Sequence, residues 1–136
     1  MFDICEIAVT SDDPDWLAGL AHELVESGLV ARAEISPVRV IRRSQGGILD
    51  YGQSRAALYT RRENVVAIVD YVLRVDTHQM VSVTSRPIND GDPTYLQWVR
   101  DQTKVATIEH VAATNQLARH RPGIVRDPGW KRSVAG

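Results

Sequence analysis

The fold is decided by the stretch from Phe2 to Pro14, FDICEIAVTSDDP, in which an apolar run meets a helix start. Apolar residues occupy both parities between Phe2 and Thr10, a pattern typical of a strand covered on both faces. Ser11-Asp12-Asp13-Pro14 then combines an aspartate that can cap free backbone amides with a proline suited to a first helical turn. Apolar residues at helical spacing follow as far as Gly28, a natural stop. The stretch therefore predicts a buried strand and then a helix.

The same succession is predicted a second time. A long strand runs from Leu29 to Arg43, with a bulge or bend expected at Pro37 because the apolar residues change parity there. A turn over 44–47 leads to a third strand that is strongest over 56–60, whereas 49–54 is ambiguous. A second helix is predicted from Glu63, and its expected inner face is Val65, Val66, Ile68, Val69, Val72 and Leu73.

A fourth strand is predicted from Met80 to Pro87. The turn Asn89-Asp90-Gly91-Asp92-Pro93 then leads into a third helix. This order predicts an α+β, ferredoxin-like fold (βαββαβ) with an antiparallel four-stranded sheet and both crossover helices on one face. Since apolar residues also occupy the other parity of the first strand, we expect a second apolar face that is buried against other subunits.

Two parts of the chain differ in charge. Residues 1–103 hold ten Lys or Arg and fifteen Asp or Glu, whereas residues 104–136 hold six and two. We therefore predict a domain over 1–103 and a C-terminal extension over 104–136, helical over 106–118 and then an irregular basic tail. The tail is expected either to contact an anionic partner or to lie on the acidic domain.

Composition narrows the function classes. A net charge of −1 argues against a nucleic-acid binder, and no apolar run is long enough to cross a bilayer. The single cysteine, Cys5, excludes an internal disulfide framework and a cysteine-cluster zinc site within one chain. We expect a cytoplasmic protein without a membrane partner. No nucleophile elbow, phosphate loop or dinucleotide motif occurs, so we expect no enzymatic activity and no certain cofactor.

Four segments share a common resemblance. They are Val9-Thr10 before the acidic helix start, Leu29-Val30-Ala31 running to Pro37, the hairpin from Ile41 to Ile48, and 89–98, NDGDPTYLQW. Together they resemble one family, the divalent-cation tolerance (CutA) proteins. The resemblance covers Phe2 to Thr103, and its most specific part is Gly91 to Trp98. It implies a ferredoxin-like fold, a homotrimer resembling the PII signalling proteins, and a role in tolerance of or response to copper and other divalent metal ions.

The departures from the family pattern fall where its chemistry is usually placed. Arg32 matches a cysteine of the second strand, Arg42 and Ser44 match a tyrosine and a tryptophan of the hairpin, and Tyr59 matches a lysine. Family members have His-Pro-Tyr-Asp-Val-Pro-Glu in the segment that corresponds to 76–82. In this chain Asp76 occupies the histidine position and Ser82 the glutamate position. The metal site of the family therefore does not transfer directly to this chain.

Two candidate sites remain on chemical grounds. Asp76 and His78 form the best local pair of metal ligands, and a threefold axis could bring three copies together. The other candidate is an anion or nucleotide site at subunit clefts, because fourteen of the sixteen basic residues are arginine, whose guanidinium suits phosphate and carboxylate. Its members are Arg32, Arg42 and Arg43, with Tyr95 and Trp98 either stacking on a ligand or packing the third helix.

Three functions stay open at this stage. The first is a non-enzymatic homotrimer that senses a metal ion, copper in particular, or another small ligand. The second is a PII-like regulator that binds an anion or nucleotide through arginines. The third is a structural trimer that docks a protein partner.

Overall fold

The computed structural model describes residues 3–76 and 81–106 and confirms the ferredoxin-like order. Its elements are β1 Ile4–Ser11, α1 Pro14–Glu26, β2 Arg32–Ser44, β3 Gly47–Arg61, α2 Val65–Val75, β4 Ser82–Ile88 and α3 Pro93–Asp101. The four strands form one antiparallel sheet in the order β2-β3-β1-β4. His78 and the chain beyond 106, including most of the predicted C-terminal helix and the basic tail, lie outside the described residues.

The ends of α1 follow from its local sequence. The Asp13 side chain accepts a hydrogen bond from the Trp16 amide at 3.0 Å, and Pro14 occupies the first turn. Gly28, just beyond the helix, has φ = +82°, a conformation that costs a side-chain-bearing residue energy. The helix therefore ends where the chain must turn back towards the sheet.

The main core lies between the sheet and the helices α1 and α2. Ile7 and Val9 of β1 contribute to it, together with Leu17 and Leu24 of α1 and Ile68 of α2, all of them fully buried. Successive side chains of a strand point to opposite faces, so these odd-numbered residues of β1 define the helix-covered face.

The hairpin of β2 and β3 is longer and more regular than predicted. Its register is unbroken from Arg32 opposite Tyr59 to Ser44 opposite Gly47, so the bulge expected at Pro37 is wrong. Pro37 is tolerated because β2 is an edge strand, where a missing amide need not interrupt the sheet. The apolar residues change parity for another reason. Ala33 is the only β2 residue that packs against the main core, so the residues after it need not keep to the core-facing parity. The ambiguous residues 49–54 belong to β3.

The second face of the sheet is apolar at one end only. There α3 packs Leu96 and Val99 against Ile4. Beyond α3 this face carries Glu6 and Thr10 of β1, and Arg55 of β3 opposite Thr10. The expectation of a largely apolar second face is therefore wrong, because the even-numbered residues of β1 after Ile4 are polar or small.

The inner face of α2 also differs from prediction. The helix starts at Val65, after a 3-10 turn over Arg62–Asn64, and it buries Ile68, Tyr71 and Val72. Val66 is 80% exposed and Leu73 is 56% exposed, so both point outward instead of inward. Tyr71 takes the inner position, where its hydroxyl donates to Glu23 of α1 at 2.9 Å.

Asn64 joins three segments at one end of the molecule. Its fully buried amide nitrogen donates to the Leu29 carbonyl at 3.2 Å and to the Lys104 carbonyl at 2.6 Å. Its carbonyl oxygen accepts from the Ala106 amide at 2.7 Å. Residues 104–106 are thereby held against the domain, while the predicted boundary between 103 and 104 stays a prediction.

Replacing Asn64 tests this junction. We expect Asn64→Ala to lower the free energy of unfolding by about 1–3 kcal/mol, because buried backbone carbonyls lose their donor. Chemical denaturation measures the change. The exposed Asn89 provides the matched control, and Asn89→Ala should stay within about 0.5 kcal/mol of the parent. Equal effects of the two substitutions would contradict the role assigned to Asn64.

Candidate ligand site on the open face of the sheet

We call the sheet face opposite α1 and α2, outside the area covered by α3, the open face. One row of side chains crosses it on all four strands, because Arg32 lies opposite Tyr59, Tyr59 opposite Glu6, and Glu6 opposite Arg86. Residues directly opposite each other on adjacent strands share a face. The register thus places two arginines at the ends of a row that has a carboxylate and a phenol at its centre.

Glu6 is held by two arginines. Arg86 donates to Oε2 of Glu6 through Nε at 3.1 Å and Nη2 at 2.6 Å, and Arg55 donates to Oε1 at 3.3 Å. The Glu6 side chain is 7% exposed, whereas that of Arg86 is 70% exposed. The hydrogen bond and charge of Glu6 raise the pKa of Arg86 above its ordinary value. The pair therefore presents a permanently charged guanidinium to solvent beside a neutralised carboxylate.

A second network lies next to it at the edge of the sheet. The Tyr59 hydroxyl donates to Oε1 of Glu34 at 3.0 Å, and Arg32 donates to Oε2 of the same carboxylate at 2.8 Å. Burial, followed by the hydrogen bond to Glu34, raises the pKa of Tyr59 to about 12. The phenol is consequently a neutral hydrogen-bond donor throughout the physiological pH range.

Aromatic rings of α3 border this network. Tyr95 meets Tyr59 edge-on, with ring centroids 6.3 Å apart, and it stacks on Trp98 at 5.9 Å. Trp98 is 42% exposed. Tyr95 therefore packs the helix onto the sheet, whereas Trp98 leaves part of its ring accessible to a ligand or another chain.

The arginines predicted to act with Arg32 lie elsewhere in the chain. Arg42 and Arg43 are near the tip of the hairpin, about 35 Å along the strand from Arg32 at the usual rise per residue. Arg42 donates to the Tyr51 hydroxyl at 2.8 Å, and its guanidinium lies over the Tyr51 ring, 5.7 Å from the centroid. A single chain brings Arg32, Tyr95 and Trp98 to one region but leaves Arg42 and Arg43 apart from them.

Asp76 and Cys5 are the described residues closest to a metal-binding role. Asp76 follows the end of α2, and its Oδ2 accepts from the amide of Val81, the residue before β4, at 3.2 Å. Burial raises the pKa of the Cys5 thiol, which disfavours the thiolate that a soft metal requires. Within residues 3–76 and 81–106, no group of three His, Cys, Asp or Glu side chains is placed to hold a metal ion.

Sequence reasoning missed five members of the open face, namely Glu6, Glu34, Arg55, Tyr59 and Arg86, as site residues. One signal was present, because Glu6 is the only charged residue between Ile4 and Ser11 in an otherwise apolar strand. A charge in such a position requires a partner. Its partners Arg55 and Arg86 are far away in sequence, and only strand pairing identifies them.

The fold and this charged face define the class of the molecule, an α+β protein of ferredoxin-like topology whose sheet has one free side. Residues 5–102 match the family model of the CutA1 divalent ion tolerance protein. This match spans more than half of the sequence, so the chain belongs to that family. Among the described residues, no helix has the length and hydropathy needed to span a membrane.

Individual relatives agree with this assignment. The chain is 32% identical over 83 residues to the CutA homolog of Xenopus laevis, covering 60% of this chain and 55% of that protein. It is 29% identical over 86 residues to human CutA, covering 62% and 48%. The matched region thus spans about half the length of these relatives.

Solved structures show the same fold at lower identity. The divalent cation tolerance protein of Thermus thermophilus superposes with a TM-score of 0.67 at 22% identity, covering 74% of this chain and 99% of that one. CutA of Synechococcus elongatus gives 0.69 at 20% identity, covering 76% and 93%. The Archaeoglobus fulgidus structure, described as a periplasmic CutA, gives 0.68 at 21% identity, covering 74% and 99%.

The Tyr59 phenol should ionise at a higher pH than an ordinary tyrosine. The difference in ultraviolet absorbance between the parent and Tyr59→Phe is expected to show a midpoint near pH 12 instead of the ordinary 10. In the unfolded chain the phenol ionises at its ordinary pKa of 10, below its pKa in the folded state. This group should therefore leave the free energy of unfolding unchanged below pH 10 and lower it as the pH rises from 10 to 12. Glu34→Gln should lower the midpoint only in part, since burial remains. A midpoint of 10 in the parent would refute the buried, hydrogen-bonded phenol.

Proposed function

We propose that this chain acts as a non-enzymatic homotrimer in the tolerance of or response to divalent metal ions, copper in particular. The family match over residues 5–102 carries the proposal. The chemistry of the described residues is in keeping with a binding role, since the polar groups of the open face pair with one another in charge networks, and its phenol is held protonated.

The hairpin supports association into a trimer. Near its tip, Ile41 is 62% exposed and Ile48 is 77% exposed, and both lie beyond the core of their own chain. β2 is also an edge strand, and no other strand among the described residues pairs with its outer side. An exposed edge with apolar side chains is usually covered by another chain. The hairpin, whose long strands the sequence already favours for edge pairing with a neighbour, therefore supports assembly better than the mostly polar open face does.

Light scattering tests the assembly. We expect a mass three times the 15.1 kDa of one chain. The double substitution Ile41→Asp and Ile48→Asp should shift the protein towards the monomer, because each places a charge in the contact. Ala18→Asp, at an exposed position on α1, is the control and should leave the mass unchanged. A monomeric parent, or a trimer that survives both hairpin substitutions, would overturn the proposed interface.

A second candidate function is binding of an anionic ligand or nucleotide. The exposed guanidinium of Arg86 and the exposed ring of Trp98 favour it, since a phosphate binds the first and a base stacks on the second. In a trimer, Arg42 and Arg43 of one chain could approach the open face of the next. This arrangement would bring Arg42 and Arg43 of one chain close to Arg32 of the next.

Calorimetry separates the two functions. If copper is the ligand, Cu²⁺ should bind the parent, and His78→Ala should weaken binding by about tenfold or more. His22→Ala is the matched control, because this exposed histidine only pairs with Glu26 at 3.6 Å. If an anion is the ligand, ADP or inorganic phosphate should bind instead, and Arg42→Ala should weaken that binding while Arg74→Ala does not. Binding of neither probe would leave the third function, docking of a protein partner.

A cytoplasmic location is part of the proposal. The chain has one cysteine, which is buried and free, so it needs no oxidising compartment to complete its fold. The periplasmic description of the Archaeoglobus fulgidus relative concerns that protein. Fractionation of cells with compartment markers tests the location directly.

A further inference from the structure

The outward side of α3 forms an open groove that contains an aromatic ring and a carboxylate. Trp98 is 42% exposed there, and Asp101 stands three residues later on the same helix face. Gln97 donates to Oδ1 of Asp101 at 2.8 Å, which helps to hold the carboxylate in place. The groove has a volume of about 540 Å³, and we call its lining residues the α3 groove: Pro93, Thr94, Gln97, Trp98 and Asp101.

The chemistry of the α3 groove suits a cation that has apolar neighbours. Over the ranges that the structure describes, Asp101 has no ion pair, and the adjacent Arg100 pairs with Glu63 at 3.7 Å. The segment 89–101 carries three aspartates and one arginine, so its charge is negative. A guanidinium binds a carboxylate and also the face of a tryptophan ring. The groove is therefore complementary to an arginine side chain.

The tip of the β2–β3 hairpin presents such an arginine beside apolar side chains. Arg43 is exposed and lies directly opposite Ile48, and Ile41 shares their face because it is two residues away from Arg43. Both isoleucines are more than half exposed. No carboxylate in the described ranges pairs with Arg43, and the segment 39–51 carries three arginines and one aspartate. We call Ile41, Arg43 and Ile48 the tip cluster.

The α3 groove and the tip cluster lie at opposite ends of one chain. Tyr59 contacts α3 and Gly47 lies at the hairpin turn, and the part of β3 between them spans about 40 Å. A contact between these two surfaces therefore joins different chains, and it is heterologous, because each chain gives its tip to one neighbour and its groove to the other. Three chains related by a threefold axis close such a ring.

The open face is a poorer partner for Arg43 than the α3 groove is. Glu6 already accepts hydrogen bonds from Arg55 and Arg86, and Glu34 accepts from two donors of its own. A further guanidinium at Glu6 would meet two positive charges, which disfavours its approach. Charge therefore directs the hairpin tip towards α3.

We propose that the α3 groove of one chain receives the tip cluster of a second copy, with the Arg43 guanidinium on the Trp98 ring and paired with Asp101. The two isoleucines of the tip then pack against the apolar part of the groove. This contact presupposes the proposed homotrimer and names the surface that its hairpin binds. Neither surface is complete without the neighbouring copy, since the cation comes from one chain and the ring and carboxylate come from the other.

Charge reversal in the full chain tests this contact. Asp101→Arg and Arg43→Asp should each raise the concentration at which the trimer dissociates by about tenfold or more, because each brings like charges together. The double variant restores opposite charges and should return this concentration to within about threefold of the parent. Asp15→Arg, at an exposed position of α1, is the matched control and should have no effect. Light scattering over a dilution series measures dissociation, and circular dichroism reports whether each variant is folded.

Cross-linking identifies the two surfaces directly. Ile48→Cys combined with Thr94→Cys should form disulfides between chains on mild oxidation and yield a covalent trimer, because every chain then carries both halves of the contact. Neither single cysteine variant should yield it. The buried Cys5 is present in all three variants, so the single variants also control for its reaction.

Four results would overturn this contact and leave the proposed homotrimer in place. They are a trimer that neither charge reversal weakens, a double reversal without recovery, a double cysteine variant without disulfides between chains, and cross-linked dimers from Ile48→Cys alone, which would mean that two tips meet. A monomeric parent would instead overturn the contact and the proposed assembly together.

Discussion

The alternation of side chains along β1 is the constraint on which the rest of the structure depends. β1 pairs on both edges, with β3 and β4, so each of its residues must serve one of two faces. Ile7 and Val9 enter the main core, whereas Ile4 and Glu6 lie on the opposite side. A shift of register by one residue would exchange these sets, placing the Glu6 carboxylate under the helices and apolar side chains on the open face.

The charge of Glu6 has consequences across the sheet. A carboxylate that is 7% exposed must be paired, and the pairing draws Arg55 and Arg86 to the two neighbouring strands. Two guanidiniums on one carboxylate leave a net positive region on that part of the open face. Tyr59 and Glu34 extend the polar row to β2, and Tyr95 of α3 closes it on one side. The face is thus built from linked charges and rings instead of the apolar surface that the parity of β1 suggested.

Apolar side chains lie outside the core for different reasons in the β2–β3 hairpin and in helix α2. Ile41 and Ile48 are exposed because the paired strands continue past the helices, so no other residue in the described part of the chain covers them. Val66 and Leu73 are exposed because Ile68, Tyr71 and Val72 already fill the inner face of α2. The first group suits contacts between chains, whereas the second follows the outward side of α2 from its first turn to its last.

The sequence by itself determined the order of elements, the start of α1 at its aspartate–proline pair, the turn over 89–93 that leads into α3, and the family, because these depend on local spacing and turn chemistry. It could not determine the regular register at Pro37, the outward side of α2, or the open-face network. Each of these depends on which strand or helix lies opposite a residue far away along the chain, as with Glu6 and Arg86. The spacing of apolar residues indicates which residues share one side of a strand or helix. Only tertiary packing decides which element lies against that side.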